Sequence, residues 1–471
     1  MSRLAEQLTM AGLSPEEAAG KAALFAAAEA RFHPDRQTRR WFVPGRIEVA
    51  GKHTDYAGGQ SLVCAAERGI CVVAAAVPEP FIRAVDLRAA AGAREVVLPI
   101  GAHSLPQDQP HWAEYAAAVH ERLQRNYPGA LRGVEIALAS DLPRAAGLSS
   151  SSALTIAVFV ALLGFSDCGR SPNFSAVRSE IELIEYLGCV ENGQTFQGAA
   201  GMPLEGGAGV GTFGGSEDHA AICLSQPGRL AQFQFCPARL QEYVPMPHDW
   251  VFAVASSGIH AEKTGPARDS YNRASLAART VLETWREFAG RPVASLGEAV
   301  RSGAETCERI RKTLRASRQA EFSAEELGDR FEHFVFESEQ VVPRVAAAFR
   351  TKDFAALGQA MDASQTQAER LLKNQTAETV FLARMARSLG AIAASSFGAG
   401  FGGSVWAVVL RSDAHAFLEA WRVDYSRRFP GAASEAEFFT TNAGPGMLEI
   451  SPSCDIFPAA QTIYAPRHLH K

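Results

Sequence analysis

Pro143-Arg-Ala-Ala-Gly-Leu-Ser-Ser-Ser-Ser-Ala-Leu154 runs directly into the apolar stretch that continues to Phe165. Serine and glycine favour caps and turns, and an uninterrupted apolar continuation favours a buried helix, so the serines are expected at a helix N-terminus. The first backbone N–H groups of a helix lack partners, and the helix dipole adds partial positive charge there, which suits a phosphate. Ser149, Ser150, Ser151 and Ser152 add hydroxyl donors and hard oxygen for Mg²⁺. Taken alone, the loop reads equally as a serine-rich cap.

The rest of the chain sets limits. Its 471 residues exceed what one core usually serves, so two domains are expected. With 47% hydrophobic and 21% charged residues, neither a disordered nor a membrane class is needed. A net charge of −5 argues against a nucleic-acid-coating role. The N-terminal residues carry both charge signs without an apolar signal core, and no apolar run reaches membrane-spanning length. The eight cysteines are scattered, with no metal-knuckle or redox spacing, and read as buried thiols of a cytoplasmic protein.

Working outward, residues 4–32 have helical periodicity interrupted near Gly12 and Pro15. Strand patterns follow from Trp41, at Ser61–Cys64, at Ile70–Val77 and at 133–138. Residues 179–191 read as helix, and the glycine-rich stretch 198–215 as a mobile lid or active-site edge. A strand at 251–256 precedes long amphipathic helices over 267–350 and 354–386. A second glycine loop, Ser395–Ser404, leads to strand 405–410 and helix 412–428. Helices and strands intermix in both halves, which predicts an α+β protein of two lobes with a cleft between them. The boundaries expected are a helical lead-in at 1–32, an N-terminal domain at 33–246, a C-terminal domain at 247–448 and a tail at 449–471.

Gly45-Arg-Ile-Glu-Val-Ala-Gly-Lys-His-Thr54 approaches a Walker A pattern. It has one residue too many between the glycines, and His53 stands where Ser or Thr belongs, which argues against a P-loop. Arg46, Lys52, His53, Asp55 and Tyr56 instead crowd one short turn, as donors and acceptors for a polyhydroxylated ligand or as a solvated charged turn.

The combination of motifs resembles the GHMP small-molecule kinases, and among them the galactokinases. The galactokinase signature Gly-Arg-Val-Asn-Leu-Ile-Gly-Glu-His-Thr-Asp-Tyr-Asn-Gly-Gly is matched by Gly45-Arg-Ile-Glu-Val-Ala-Gly-Lys-His-Thr-Asp-Tyr-Ala-Gly-Gly59. The family's Trp-x-x-Tyr is matched by Trp112-Ala-Glu-Tyr115, and its late Gly-Gly-Gly-Phe-Gly-Gly by Gly398-Ala-Gly-Phe-Gly-Gly403.

The resemblance implies a two-lobed GHMP kinase fold, with an N-terminal domain like the second domain of ribosomal protein S5 and a ferredoxin-like C-terminal domain. It implies ATP- and Mg²⁺-dependent phosphorylation of a hexose at its anomeric hydroxyl. The family pattern Gly-Ile-Met-Asp-Gln matches Gly215-Ser-Glu-Asp-His219, which implies Asp218 as the base, with Arg46 beside it steadying the phosphoryl charge. Nucleotide contacts are implied for Trp112, Gly147, Leu148 and Ser149 to Ser152. Sugar contacts are implied for Lys52, His53, Asp55, Gly215 and Tyr271. Mg²⁺ is implied at Ser151 and Glu191, with the serine register open by one because Ser152 replaces the family's Ala. The partners expected are the sugar and ATP, with no membrane or nucleic acid, on a monomer or weak dimer. A non-catalytic sugar and ATP sensor, or another GHMP kinase, is the alternative.

Four departures stand out. Lys52 replaces the family's Glu, Glu48 its Asn and Phe397 its Thr, and the glycine-rich stretch lengthens the separation between Glu191 and Asp218. The charge inversion at 52 suggests an acidic sugar such as galacturonate as acceptor, since a Lys–carboxylate bond is worth about 1.5–3 kcal/mol. A Glu48–Lys52 pair is the structural alternative.

Overall fold

The computed structural model describes residues 2–88, 94–102, 109–198, 201–260, 267–290, 292–451, 453 and 455–460. Among these, an α+β chain is laid out around two sheets. The larger has nine strands. Its spine pairs Thr38–Ala50 with Gln60–Ala76 antiparallel, and Val134–Ser140 lies on the far side. Phe81–Asp86 joins Val134–Ser140 in parallel, and Arg94–Pro99 closes that edge. Arg229–Gln234 and then Arg239–Pro245 extend the other end of the long strand.

The sequence pattern suggested two strands at Ser61–Cys64 and Ile70–Val77, but Gln60–Ala76 is one strand. The polar break at Glu67 is accommodated because its carboxylate accepts from Ser14 N, Asn442 N and Asn442 Nδ2 at 2.5–2.8 Å. A buried carboxylate with three donors need not interrupt a strand.

The helix after the serine loop, Ser150–Phe165, is apolar all round and is packed on all sides, with every residue from Ser152 to Leu163 buried. It shares a core with strand residues Val49, Leu62 and Ile136 and with the helices Ala113–Asn126 and Glu180–Asn192. The lead-in helices Arg3–Met10 and Pro15–Glu29 cover the opposite face through Leu8, Phe25 and Phe42.

The second sheet is antiparallel, in the order Ala393–Phe397, Ser404–Leu410, Trp250–Ser256, Glu437–Thr441. Helices Ala377–Ser388 and Ala414–Arg428 cover one face. A separate helical cluster, residues 267–336, packs through Trp285, Phe331 and Phe334 onto Ala57 and Tyr56 of the polar turn. The expected glycine loop begins later than proposed, because Ala393–Phe397 is strand and only 398–403 turns.

The C-terminal end departs from its expected boundary. Leu448–Ile450 pairs with the first long strand and Ile456–Pro458 pairs with it in turn, so this segment belongs to the N-terminal lobe's sheet. Leu448 and Ile450 are apolar and alternate inward, which is strand rather than tail chemistry. Residues 461–471 of the proposed tail, and Cys454, lie outside the described residues.

Among the bonds between the two sheets, the buried Trp406 indole N–H donates to the Glu48 carbonyl at 3.0 Å, and the Glu67 backbone N–H donates to Thr441 Oγ1 at 2.8 Å. Replacing Trp406 with Phe leaves that carbonyl unpaired and slightly underfills the core. Urea unfolding of Trp406→Phe should show a loss of about 1–3 kcal/mol. An unchanged midpoint would mean that this joint contributes nothing.

Candidate active site

Two hollows adjoin at Arg46. One is lined by Arg46, Glu48, His53, Asp55, Glu217 and Asp218, with Glu191, Gly215 and Tyr271 among the remaining walls. The other is lined by Arg46, Trp112, Arg144, Gly147, Ser149, Ser150 and Ser151. Arg46, Gly398 and Ala399 line both.

Arg46 is held by its own strand and by the serine loop. Its backbone N–H donates to the Leu148 carbonyl at 3.0 Å, and one terminal nitrogen donates to the Gly147 carbonyl at 3.1 Å. Its Nε donates to Asp218 Oδ1 at 2.7 Å, and a second terminal nitrogen approaches the same oxygen. Ser152 Oγ donates to the other oxygen, Asp218 Oδ2, at 3.3 Å. Glu48 and Glu217 each stand 3.7 Å from the same guanidinium. Burial alone would lower the Arg46 pKa, but Asp218, Glu217 and Glu48 outweigh it and hold the side chain cationic. Burial pushes Glu48 up to about 7, against the pull of Arg46 and Lys52. Burial, followed by the Glu48 charge, raises Glu217 well above the usual carboxylate range.

The polar turn supplies the facing wall. Asp55 opens a short 3₁₀ turn, and its Oδ2 accepts from Glu217 N at 3.2 Å. A Cβ at Gly215 would lie 2.3 Å from that oxygen, so only glycine fits there. Arg330 donates to the Tyr56 hydroxyl at 3.2 Å and to the His53 carbonyl. His53 Nδ1 lies 2.9 Å from the Tyr56 hydroxyl, and Nε2 lies 3.0 Å from the Ala399 carbonyl. The Tyr271 ring tilts against His53 at 5.6 Å.

In the second hollow, Ser149 sits at the head of its helix in the left-handed region, at φ 57°, with a buried hydroxyl that has no protein partner. The Trp112 indole N–H is likewise buried and unpartnered. Two orphaned donors beside free helix N–H groups make a receptor for a polar, anionic ligand. The two glycine loops meet here: a Cβ on Gly398 would lie 3.0 Å from the Gly147 carbonyl.

Two residues expected as contacts do not line these hollows. Lys52 is buried, donates to Ser364 Oγ at 3.0 Å and lies 3.9 Å from Glu337 Oε1. The charge inversion at 52 is therefore met inside the protein. It gives no contact for an acidic sugar, and the ion pair that was considered with Glu48 is formed with Glu337 instead. Glu337 also accepts the backbone N–H groups of Gly51 and Lys52 at 2.9 and 3.3 Å. Leu148 is buried, and it is its carbonyl that serves the site. Glu191 and Ser152 line the Arg46–Asp218 hollow, while Ser151 lines the neighbouring one. His219 Nε2 stands 3.1 Å from Glu191 Oε2. The glycine-rich stretch packs back on Gly193 and brings Gly214 and Gly215 to the cleft, as an active-site edge.

Sequence reasoning missed Glu217 as a lining group, although it adjoins Asp218. It also missed Arg330, in the amphipathic helix Ala324–Phe336, and Glu337, in the π-helical turn that follows it, because neither carries a local signal.

Comparison with known proteins defines the class. The model of the GHMP kinases N terminal domain matches residues 114–199, and that of the GHMP kinases C terminal matches 345–426. This α+β chain is a kinase of the GHMP fold. The galactokinase galactose-binding signature matches residues 29–76. A galactokinase of Exiguobacterium sibiricum is 26% identical over 416 residues, 88% of this chain and 94% of that protein. One from Actinobacillus succinogenes is 25% identical, covering 86% and 93%. The crystal structure of Lactococcus lactis galactokinase complexed with galactose shares the fold at a TM-score of 0.71 and 21% identity, covering 90% and 98%. Within its class, the chain is galactokinase-like.

The raised Glu48 acid has a pH signature. Its folded pKa lies above the ordinary 4.5, so it adds stability that is full below that value and is lost as pH rises through about 7. Glu48→Gln keeps the shape without the titration. The variant's thermal midpoint, relative to the parent's, should rise by about 2–4 °C between about pH 5 and about pH 8. A difference that does not change with pH would mean that Glu48 does not titrate in this range.

Proposed function

We propose that the chain transfers the γ-phosphoryl group of ATP to the anomeric hydroxyl of galactose. The observation that carries this reading is Arg46, which lines both hollows and bonds the carboxylate of Asp218. A nucleotide in the serine hollow and a sugar in the acidic one would present their reacting ends to one guanidinium.

Galactose would lie against His53, Asp55, Gly215 and Tyr271, where an acceptor carboxylate can take hydrogen bonds from vicinal hydroxyls. The Asp218 carboxylate accepts the proton of the anomeric hydroxyl as that oxygen bonds to the γ-phosphorus. The bond from phosphorus to the bridging oxygen breaks, and ADP leaves with the electron pair. Arg46 and the helix N–H groups stabilise the charge carried by the equatorial oxygens. Ser149 and Trp112 offer their orphaned donors to the nucleotide. The Ser151 hydroxyl and the Glu191 carboxylate are hard oxygen donors suited to Mg²⁺, which when bound neutralises charge on the phosphates.

A sensor that binds both ligands without turnover is less favoured, because the Arg46–Asp218–Ser152 arrangement is the equipment of a base rather than of a passive pocket. The cytoplasm suits the seven described cysteines, all of them free thiols, and no helix among the described residues is long and apolar enough to cross a membrane. A monomer or weak dimer is the expected state.

Coupled ADP release with galactose tests the whole reading, and silence despite ATP binding would favour the sensor. Asp218→Asn should lower kcat by about 10²–10⁴-fold while nucleotide affinity stays within a few-fold. Activity near the parent's would move the base elsewhere. Ser151→Ala should raise the Mg²⁺ concentration needed for half-maximal rate, and an unchanged requirement would shift the ligand to Ser152.

A further inference from the structure

The four serines of the loop do not share one hollow. Ser149, Ser150 and Ser151 line the hollow with Trp112, whereas Ser152 lines the one with Asp218. Helical geometry explains the split. Side chains of the helix Ser150–Phe165 advance by about 100° per residue, so successive hydroxyls meet different walls.

Ser152 is 1% exposed, and its Oγ donates to Asp218 Oδ2 at 3.3 Å. The other oxygen, Asp218 Oδ1, accepts from Arg46 Nε at 2.7 Å. These two donors come from different elements, the strand Thr38–Ala50 and the helix Ser150–Phe165, while Asp218 belongs to Glu217–Leu224. A carboxylate held at one oxygen still turns about its Cβ–Cγ bond, because that torsion is soft. Held at both oxygens from two directions, its plane is fixed. The second hold matters because the first is shared: Glu48 and Glu217 each stand 3.7 Å from the same guanidinium. A small swing of Arg46 toward either would loosen its grip on Asp218, and the Ser152 hydroxyl resists that drift. The galactokinase pattern carries Ala where Ser152 stands, a side chain with no donor to offer.

We infer that Ser152 is a positioning residue for the base, and neither a nucleotide contact nor the ligand of a cation. This rests on the kinase reading above and deepens it. The hydroxyl touches neither substrate; it acts through Asp218 by holding the carboxylate in the plane from which it meets the anomeric hydroxyl. The step itself is unchanged. The anomeric oxygen bonds to phosphorus, the bridging oxygen leaves with ADP and the proton passes to Asp218. Loss of the hold lowers the share of bound complexes with the base correctly aimed, which slows the chemical step and leaves binding alone.

The test is single-turnover ADP formation from ATP and galactose by the full chain and by its Ser152→Ala variant. Ala removes one oxygen and suits a helix interior, so the variant folds, and its thermal midpoint is measured alongside. The rate constant should fall about tenfold, the scale of one lost bond to a charged group or of a misaimed base. KM for ATP, KM for galactose and the Mg²⁺ concentration for half-maximal rate should each stay within about twofold. In an Asp218→Asn background the same substitution should change the rate by less than about twofold, because a residue that acts through the base then has nothing to act on. An unchanged rate in Ser152→Ala, or a loss that persists in full in the Asp218→Asn background, would overturn the inference and leave the kinase reading intact. A raised ATP KM or Mg²⁺ requirement would overturn it too, by returning Ser152 to the nucleotide. No turnover of galactose by the parent would overturn both.

Discussion

A single buried guanidinium organises this protein's cleft. Arg46 is removed from water, and an ion so placed costs several kcal/mol unless its charge and donors are met. Here Asp218 meets it directly, Glu48 and Glu217 stand at the next distance, the Gly147 carbonyl accepts from the guanidinium, and the Leu148 carbonyl accepts from the Arg46 backbone N–H. Those partners come from three places: the first long strand, the serine loop and the short helix Glu217–Leu224. None of them can shift alone without stranding a charge. The same interaction fixes the relative placement of loop and base, which is what in-line transfer between two ligands demands.

The C-terminal lobe holds this arrangement from the other side. Ser404 Oγ donates to the Ala146 carbonyl at 2.6 Å, Trp406 to the Glu48 carbonyl, and Ala399 accepts from His53. Glu337, in a π-helical turn, grips the backbone of Gly51 and Lys52. π-turns often occur where a side chain must be delivered off the regular helical phase. The polar turn is therefore held in place by contacts from the C-terminal half of the chain, so its His53 can tolerate a left-handed φ of 56°.

Much of this was legible from residue order. The apolar helix behind four serines, the glycines flanking each loop and the Arg46 to Asp55 turn are local patterns with local physical meaning. The continuous strand Gln60–Ala76 was read as two and Leu448–Ile450 as tail because the partners lie hundreds of residues away: Asn442 satisfies Glu67 inside the former, and the first long strand pairs the latter. Arg330 and Glu337 were invisible for the same reason. Their neighbours along the helix look like any solvated face, and only tertiary contact turns them inward.

Lys52 and Glu48 show why the sign of a substitution cannot be assigned to a site until its direction is known. Read together with the turn, Lys52 looked like added positive charge at the substrate. Its ammonium points instead to Ser364 and Glu337, so the protein absorbs that charge internally. Glu48, two residues from Arg46 on the same strand, faces the cleft because strand residues two apart share a face. The two departures from the galactokinase pattern thus act in different places, one paired in the core and one buried in the wall of the hollow beside Asp218.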